Sequence, residues 1–146
     1  MTTYLHTWDT PGSVVPLLTT ELNALDSGSS VLSGEIDNSS GLKKYINLEL
    51  VLAEQASART GSAVSVYLCA SLDGTTFCDD TTPAPEFLCQ FGLDLAVTAR
   101  RVVRVNRLIP PGEFKLKITN STGQAFAATG NVVNYSLHGE KSVEST

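Results

Sequence analysis

Tyr45-Ile46-Asn47-Leu48-Glu49-Leu50-Val51-Leu52 decides the fold class. Ile46, Leu48, Leu50 and Leu52 occupy every second position, with Tyr45, Asn47, Glu49 and Val51 between them. Successive side chains of an extended strand point to opposite sides, so this octet has one apolar face and one wetter face. Antiparallel sheets with one solvated side produce this pattern.

The same period recurs along the chain. Val64, Val66 and Leu68 alternate with Ser65 and Tyr67 in Ala63 to Cys69. Phe87, Cys89, Phe91, Leu93 and Leu95 fall on one face of Phe87 to Leu95. Phe114, Leu116 and Ile118 alternate with Lys115, Lys117 and Thr119, and Val133, Tyr135 and Leu137 share a face in Asn131 to Leu137. Weaker strand patterns lie near Val14–Leu18 and Val31–Ile36. Between these runs stand Ser39-Ser40-Gly41, Arg59-Thr60-Gly61, Pro110-Pro111-Gly112, Thr122-Gly123 and Thr129-Gly130, the residue types that turns demand. Asp73-Gly74 reads as a tight turn between strands Tyr67–Leu72 and Thr75–Cys78.

Helical signals are weak. Thr19 to Leu25 is short, and Val102, Val103 and Val105 turn Leu93 to Val105 towards strand in its second half. Ala96-Val97-Thr98-Ala99 then forms a loop or bend. The expectation is an all-β, antiparallel two-sheet β-sandwich, jelly-roll-like, of eight or nine strands. Residues 1–12 read as an N-terminal arm, 13–140 as the β-sandwich domain and 141–146 as a polar C-terminal tail.

Composition narrows the function classes. In 146 residues, 42% are hydrophobic and 17% charged, which is far from disorder and enough for one core. The net charge of −5 argues against a general nucleic-acid binder. No apolar run approaches the ~20 residues that span a bilayer, so no membrane partner is expected. The opening residues lack a basic and an apolar signal region, which points to folding in a cytoplasm. Cys69, Cys78 and Cys89 are expected as reduced thiols filling strand positions; their spacing has no close zinc-type pair.

Catalytic chemistry finds little support. His6 and His138 lie near opposite ends of the chain, expected as surface or interface hydrogen-bonders, and no paired-histidine motif or nucleophile elbow is present. Asp73, Asp79 and Asp80 bracket one turn, where calcium is conceivable. Asp and Gly are equally ordinary turn residues. No metal and no cofactor are expected. Arg100, Arg101, Arg104 and Arg107 cluster on a strand, where Arg101 and Arg107 would share a face with Val103 and Val105, and Arg104 would lie opposite. They are read as partners of acidic groups, across a subunit contact in the case of Arg101 and Arg104. Tyr4, Leu5 and Trp8 stand isolated in the arm, as aromatic and apolar anchors for a neighbouring subunit that holds it. Trp8 covering one end of the sandwich is the competing reading.

Further motifs accompany the strands: Lys44-Tyr45-Ile46-Asn47-Leu48, Ser71-Leu72-Asp73-Gly74-Thr75-Thr76-Phe77, Leu108-Ile109-Pro110-Pro111-Gly112-Glu113-Phe114, Ile118-Thr119-Asn120-Ser121-Thr122-Gly123 and Gly130-Asn131-Val132-Val133-Asn134-Tyr135. Their order, over about residues 42 to 138, resembles the jelly-roll decoration, or cement, proteins of tailed-phage capsids. The resemblance implies a structural virion protein without catalysis, made in the host cytoplasm and bound to the capsid surface. Its partner would be the major capsid protein, and it would form a homo-oligomer, dimer or trimer. A carbohydrate- or host-surface-binding sandwich, another head or tail protein, and an enzyme are the alternatives.

Overall fold

The computed structural model describes residues 3–78 and 86–145. Eleven strands are formed: β1 (Thr3–Trp8), β2 (Val15–Leu18), β3 (Ser30–Leu32), β4 (Ile36–Asp37), β5 (Tyr45–Leu52), β6 (Ala63–Ala70), β7 (Glu86–Gly92), β8 (Arg100–Leu108), β9 (Glu113–Ser121), β10 (Val132–His138) and β11 (Glu140–Ser145). The single helical piece among the described residues is a 3-10 turn, Thr20–Leu22, within the weak helical pattern of the sequence.

The strands form three antiparallel sheets. One runs β2-β10-β5-β8, a second β3-β9-β6-β7 with β4 also on β9, and β1 pairs only with β11. The two larger sheets make a sandwich-like arrangement around one apolar cluster. The alternation of β5 is realised in full, with Ile46, Leu48, Leu50 and Leu52 buried. They share the core with Val64, Val66, Phe91, Phe114, Leu116, Ile118 and Val133.

Strand number departs from the expected eight or nine because the two ends of the described chain pair with each other. The segments read as a separate arm and tail are the two strands of one ribbon, so each is tied down by the other. Val31–Ile36 also divides into β3 and β4.

Of the three register shifts in the described ladders, those on β8 and β7 redirect side chains. Between Ile46 and Leu48, both Val105 and Asn106 of β8 face Asn47, and Asn106 takes a left-handed φ of 58°. The extra residue inverts parity beyond it. Arg107 therefore stands opposite buried Ile46, on the side of Arg104, and not with Arg101 as the alternation implied. The second bulge, at Val66/Tyr67, puts Phe87 opposite Tyr67. Phe87 is exposed there, its ring edge-on to Tyr67 at 5.7 Å, instead of joining Phe91 inside. Leu95 lies beyond β7 and is exposed as well.

The segment after β6 is a turn without a following strand at Thr75–Cys78. Asp73 accepts from the Thr75 and Thr76 amides at 2.9 and 2.7 Å and from the Ser71 and Thr76 hydroxyls. Those bonds, led by the Thr76 amide, hold its carboxyl below the usual range. Gly74 supplies the φ of 72° that follows. The fold-back brings Cys78 to Cys69, Cα atoms 5.3 Å apart, and the two form a disulfide where free thiols were expected. Cys89 remains a buried thiol, which burial pushes up to about 11. The thiolate is the reactive species. Alkylation at pH 8 is accordingly expected to leave the native chain unlabelled, to add one label in denaturant, and to add three after reduction. A second label without reductant would contradict the disulfide.

Buried polar side chains hold the loops. Asn120 donates to the Leu25 and Gln124 carbonyls and accepts from the Thr122 amide and hydroxyl. Asn131 donates to Asn23 Oδ1 and Ala127 O and accepts from the Ala53 amide. Asn38 does the same for Lys43 and Pro110. Each satisfies itself with backbone that no ladder serves.

Candidate functional site

The β1·β11 ribbon and the outer face of the four-stranded sheet carry most of the residues singled out from sequence. In the ribbon, Tyr4 pairs with Glu144, Leu5 with Val143, His6 with Ser142, Thr7 with Lys141 and Trp8 with Glu140. Directly opposed residues share a face. One side therefore carries Tyr4, His6 and Trp8 among acidic and hydroxyl groups, and the other carries Leu5 and Val143 as an apolar pair. Tyr4, Leu5 and Val143 are 61%, 58% and 43% exposed. Among the described residues neither strand joins another sheet, so each has an open edge there. A two-stranded ribbon is marginal in water by itself.

Its root is well fastened. The Asp9 amide donates to Gly139 O at 2.9 Å, and Lys43 Nζ meets Asp9 Oδ2 at 2.6 Å. Lys44 Nζ and the Tyr45 hydroxyl both reach the Glu140 carboxylate, at 3.1 and 2.9 Å. Lys44 in the first place holds that carboxyl below its ordinary value. The Trp8 ring leans on Tyr45 at 5.5 Å and on His138 at 5.8 Å, and the last two stack at 5.3 Å. Trp8 nevertheless stays 56% exposed, so it both covers this end of the sandwich and offers a surface.

His138 differs from the expected surface hydrogen-bonder. It is 4% exposed, and its Nδ1 has no partner among the described residues. His6, by contrast, is exposed, with Nδ1 3.4 Å from Ser142 Oγ. Among the described residues, no three His, Cys, Asp or Glu side chains converge as a metal site. Asp79 and Asp80, the remainder of the calcium reading, lie outside the described residues; Asp73 is engaged by its own turn.

The arginines separate. Arg101 lies on the outer face, Nε 2.5 Å from Glu49 Oε1, and Glu49 also accepts from Asn134. Arg101 foremost lowers the Glu49 carboxyl. Arg104 points to the inner side, as its alternation indicated, and donates to Gln90 O at 2.7 Å across the β7–β8 opening. In this position it bridges the two sheets. Arg100 pairs with Asp94.

Two depressions on the outer face adjoin, sharing Asn47 and Val105. One, of about 320 Å³, lies between Trp8, Asp9, Asn47, Asn106 and His138. The other lies over Glu49, Arg101, Val103 and Asn134. Asn106 escaped notice in the sequence because it owes its position to a bulge; His138 was read as a surface or interface hydrogen-bonder, although the alternation of β10 places it on the face opposite Val133 and Leu137.

No protein-family model matches the chain, and no curated protein matches it in sequence.

Proposed function

We propose that this protein is a structural, non-catalytic virion protein that binds the outside of a tailed-phage capsid as a decoration protein and stabilises the assembled head. The observation that carries the reading is the β1·β11 ribbon, with exposed Tyr4, Leu5 and Val143 and two open edges outside both sheets. Such an element has more to gain from a neighbour than from water, through apolar burial and strand addition. The neighbour is the major capsid protein, and copies of the chain assemble as a dimer or trimer. The capsid setting comes from the sequence resemblance.

Strand order supports the jelly-roll reading. Leaving out the ribbon and counting β3 and β4 as one split strand, eight remain. Their neighbours are first-eighth-third-sixth in one sheet and second-seventh-fourth-fifth in the other. Two Greek keys wound together give that order.

A protein that binds only the assembled shell stabilises it by mass action, about 2.7 kcal/mol per site at a hundredfold excess over Kd. Purified protein is therefore mixed with matching shells that lack it, and occupancy and shell melting are followed. Saturable occupancy with a higher shell melting temperature is expected. Leu5→Asp should weaken binding tenfold or more while leaving the free protein's own melting unchanged. Absence of saturable binding, or full binding by Leu5→Asp, would contradict the proposal.

A further inference from the structure

We propose that the depression at the root of the ribbon, between Trp8 and Asn106, is a binding site for a neutral saccharide. It takes Trp8 from the ribbon and its other lining residues from outside it, and it does not depend on the capsid reading.

Three observations converge on it. The first is the platform. Trp8 is the only tryptophan of the chain, and its ring is propped by Tyr45 and His138 while more than half its surface stays open. A ring held in place and left exposed costs little ordering entropy when it receives a ligand. Its π face suits the C–H-rich face of a pyranose, as an amphipathic surface receives an amphipathic ring.

The second is unspent hydrogen-bonding capacity. His138 Nδ1 is buried without a partner, and buried polar groups in folded proteins are nearly always satisfied. The Asn106 side-chain amide has no partner among the described residues either. The β8 bulge swings Asn106 to this pocket, and the Asn47 side-chain Oδ1 fixes it there by accepting the Asn106 backbone N–H at 3.0 Å. An amide offers a donor and an acceptor side by side, the pattern that adjacent sugar hydroxyls present.

The third is charge. Asp9 is paired with Lys43, and Glu140 with Lys44 and Tyr45. Among the described residues no arginine or lysine lines the pocket, and the Lys43 ammonium beside it is taken by Asp9. Phosphate-bearing ligands lack a cation to meet, and a cationic ligand finds its carboxylate already taken. A neutral, hydroxyl-rich ring is what these groups can satisfy together. The adjoining depression beyond Asn47 and Val105 gives a second ring of an oligosaccharide somewhere to lie.

Trp8 is the sole indole, so its emission reports on this pocket and on the depression it shares with His6, Thr7 and Glu140, and a variant at Asn106 tells the two apart. The full-length protein is titrated with cello-, chito-, manno- and galacto-oligosaccharides and with O-antigen fragments, following Trp8 fluorescence and, in parallel, binding heat. At least one series is expected to give a saturable shift. Asn106→Gly removes the amide yet keeps the left-handed backbone. It should weaken that binding tenfold or more with unchanged melting temperature and unchanged shell occupancy. Trp8→Ala, followed by calorimetry, should abolish it. The proposal is overturned if no saccharide gives a saturable shift or heat, if binding survives Asn106→Gly at full strength, or if only a proline-rich peptide moves the Trp8 emission. Loss of shell binding with intact saccharide binding would strike the capsid proposal and leave this one standing.

Discussion

Replacing Arg59 by methionine is expected to destabilise the protein by about 3–5 kcal/mol, the scale seen when one partner of a buried charged network is removed. The Arg59 side chain is wholly buried. Its Nε donates to Gln55 Oε1 at 2.5 Å, Nη1 to Ala96 O at 2.5 Å and Asp94 Oδ1 at 3.1 Å, and Nη2 to Thr98 O at 2.9 Å. One planar fork thus fastens the loop after β5 to the crossover between β7 and β8. Burial lowers the guanidinium pKa and Asp94 acts against that, while the intrinsic value is high enough to keep the charge. Methionine preserves the length of the side chain but removes the donors that serve Gln55 Oε1 and the Ala96 and Thr98 carbonyls. Lysine should recover little, since a point charge cannot serve three directions. Urea unfolding of the two variants beside the parent checks this. A loss below about 1 kcal/mol for Arg59→Met would show the loops held by other means.

Phe91→Ala is expected to cost a similar amount, about 3–5 kcal/mol, for a different reason. Phe91 is fully buried on the inner face of β7, opposite Val64 of β6. Alanine leaves a cavity that the two sheets cannot close without shifting strands that are fixed by their ladders. For a chain of this size the melting temperature should fall by roughly 10 °C or more. Phe91→Leu, which refills part of the volume, should lose markedly less. Equal losses for the two variants would mean that the site is not the close-packed interior described.

These two residues mark the reach of sequence reading. Phe91 was legible because alternation alone assigns it a buried face. Arg59 was not: it sits in an Arg-Thr-Gly triplet that has the composition of an ordinary turn, and apart from Gln55 its partners lie 35 to 39 positions away. Tyr45–Leu52 was recovered to the residue, since a central strand with one wet face carries its full pattern locally. Phe87 and Arg107 were assigned to the wrong faces because a bulge shifts parity without a reliable local signal. The disulfide between Cys69 and Cys78 depends on how a turn folds back, which spacing does not encode.

The candidate site divides in the same way. Tyr4, Leu5 and Trp8 stand out in the sequence as apolar residues in polar surroundings, and all three are exposed. That their segment pairs with residues 140–145 is a contact between opposite ends of the sequence, which no local pattern announces. Arg101 and Arg104 looked like a pair for one partner, yet alternation already separated them, and the two engage Glu49 and Gln90 on opposite sides of β8.

The central claim is that the ribbon is where this protein meets the capsid. Hydrogen exchange on the protein free and bound to shells tests it most directly, because ribbon amides on open edges exchange readily until a neighbour covers them. The expected result is new protection concentrated at residues 3–8 and 140–145 on binding. Ribbon amides that exchange equally fast in both states, with protection arising elsewhere on the sandwich, would contradict it.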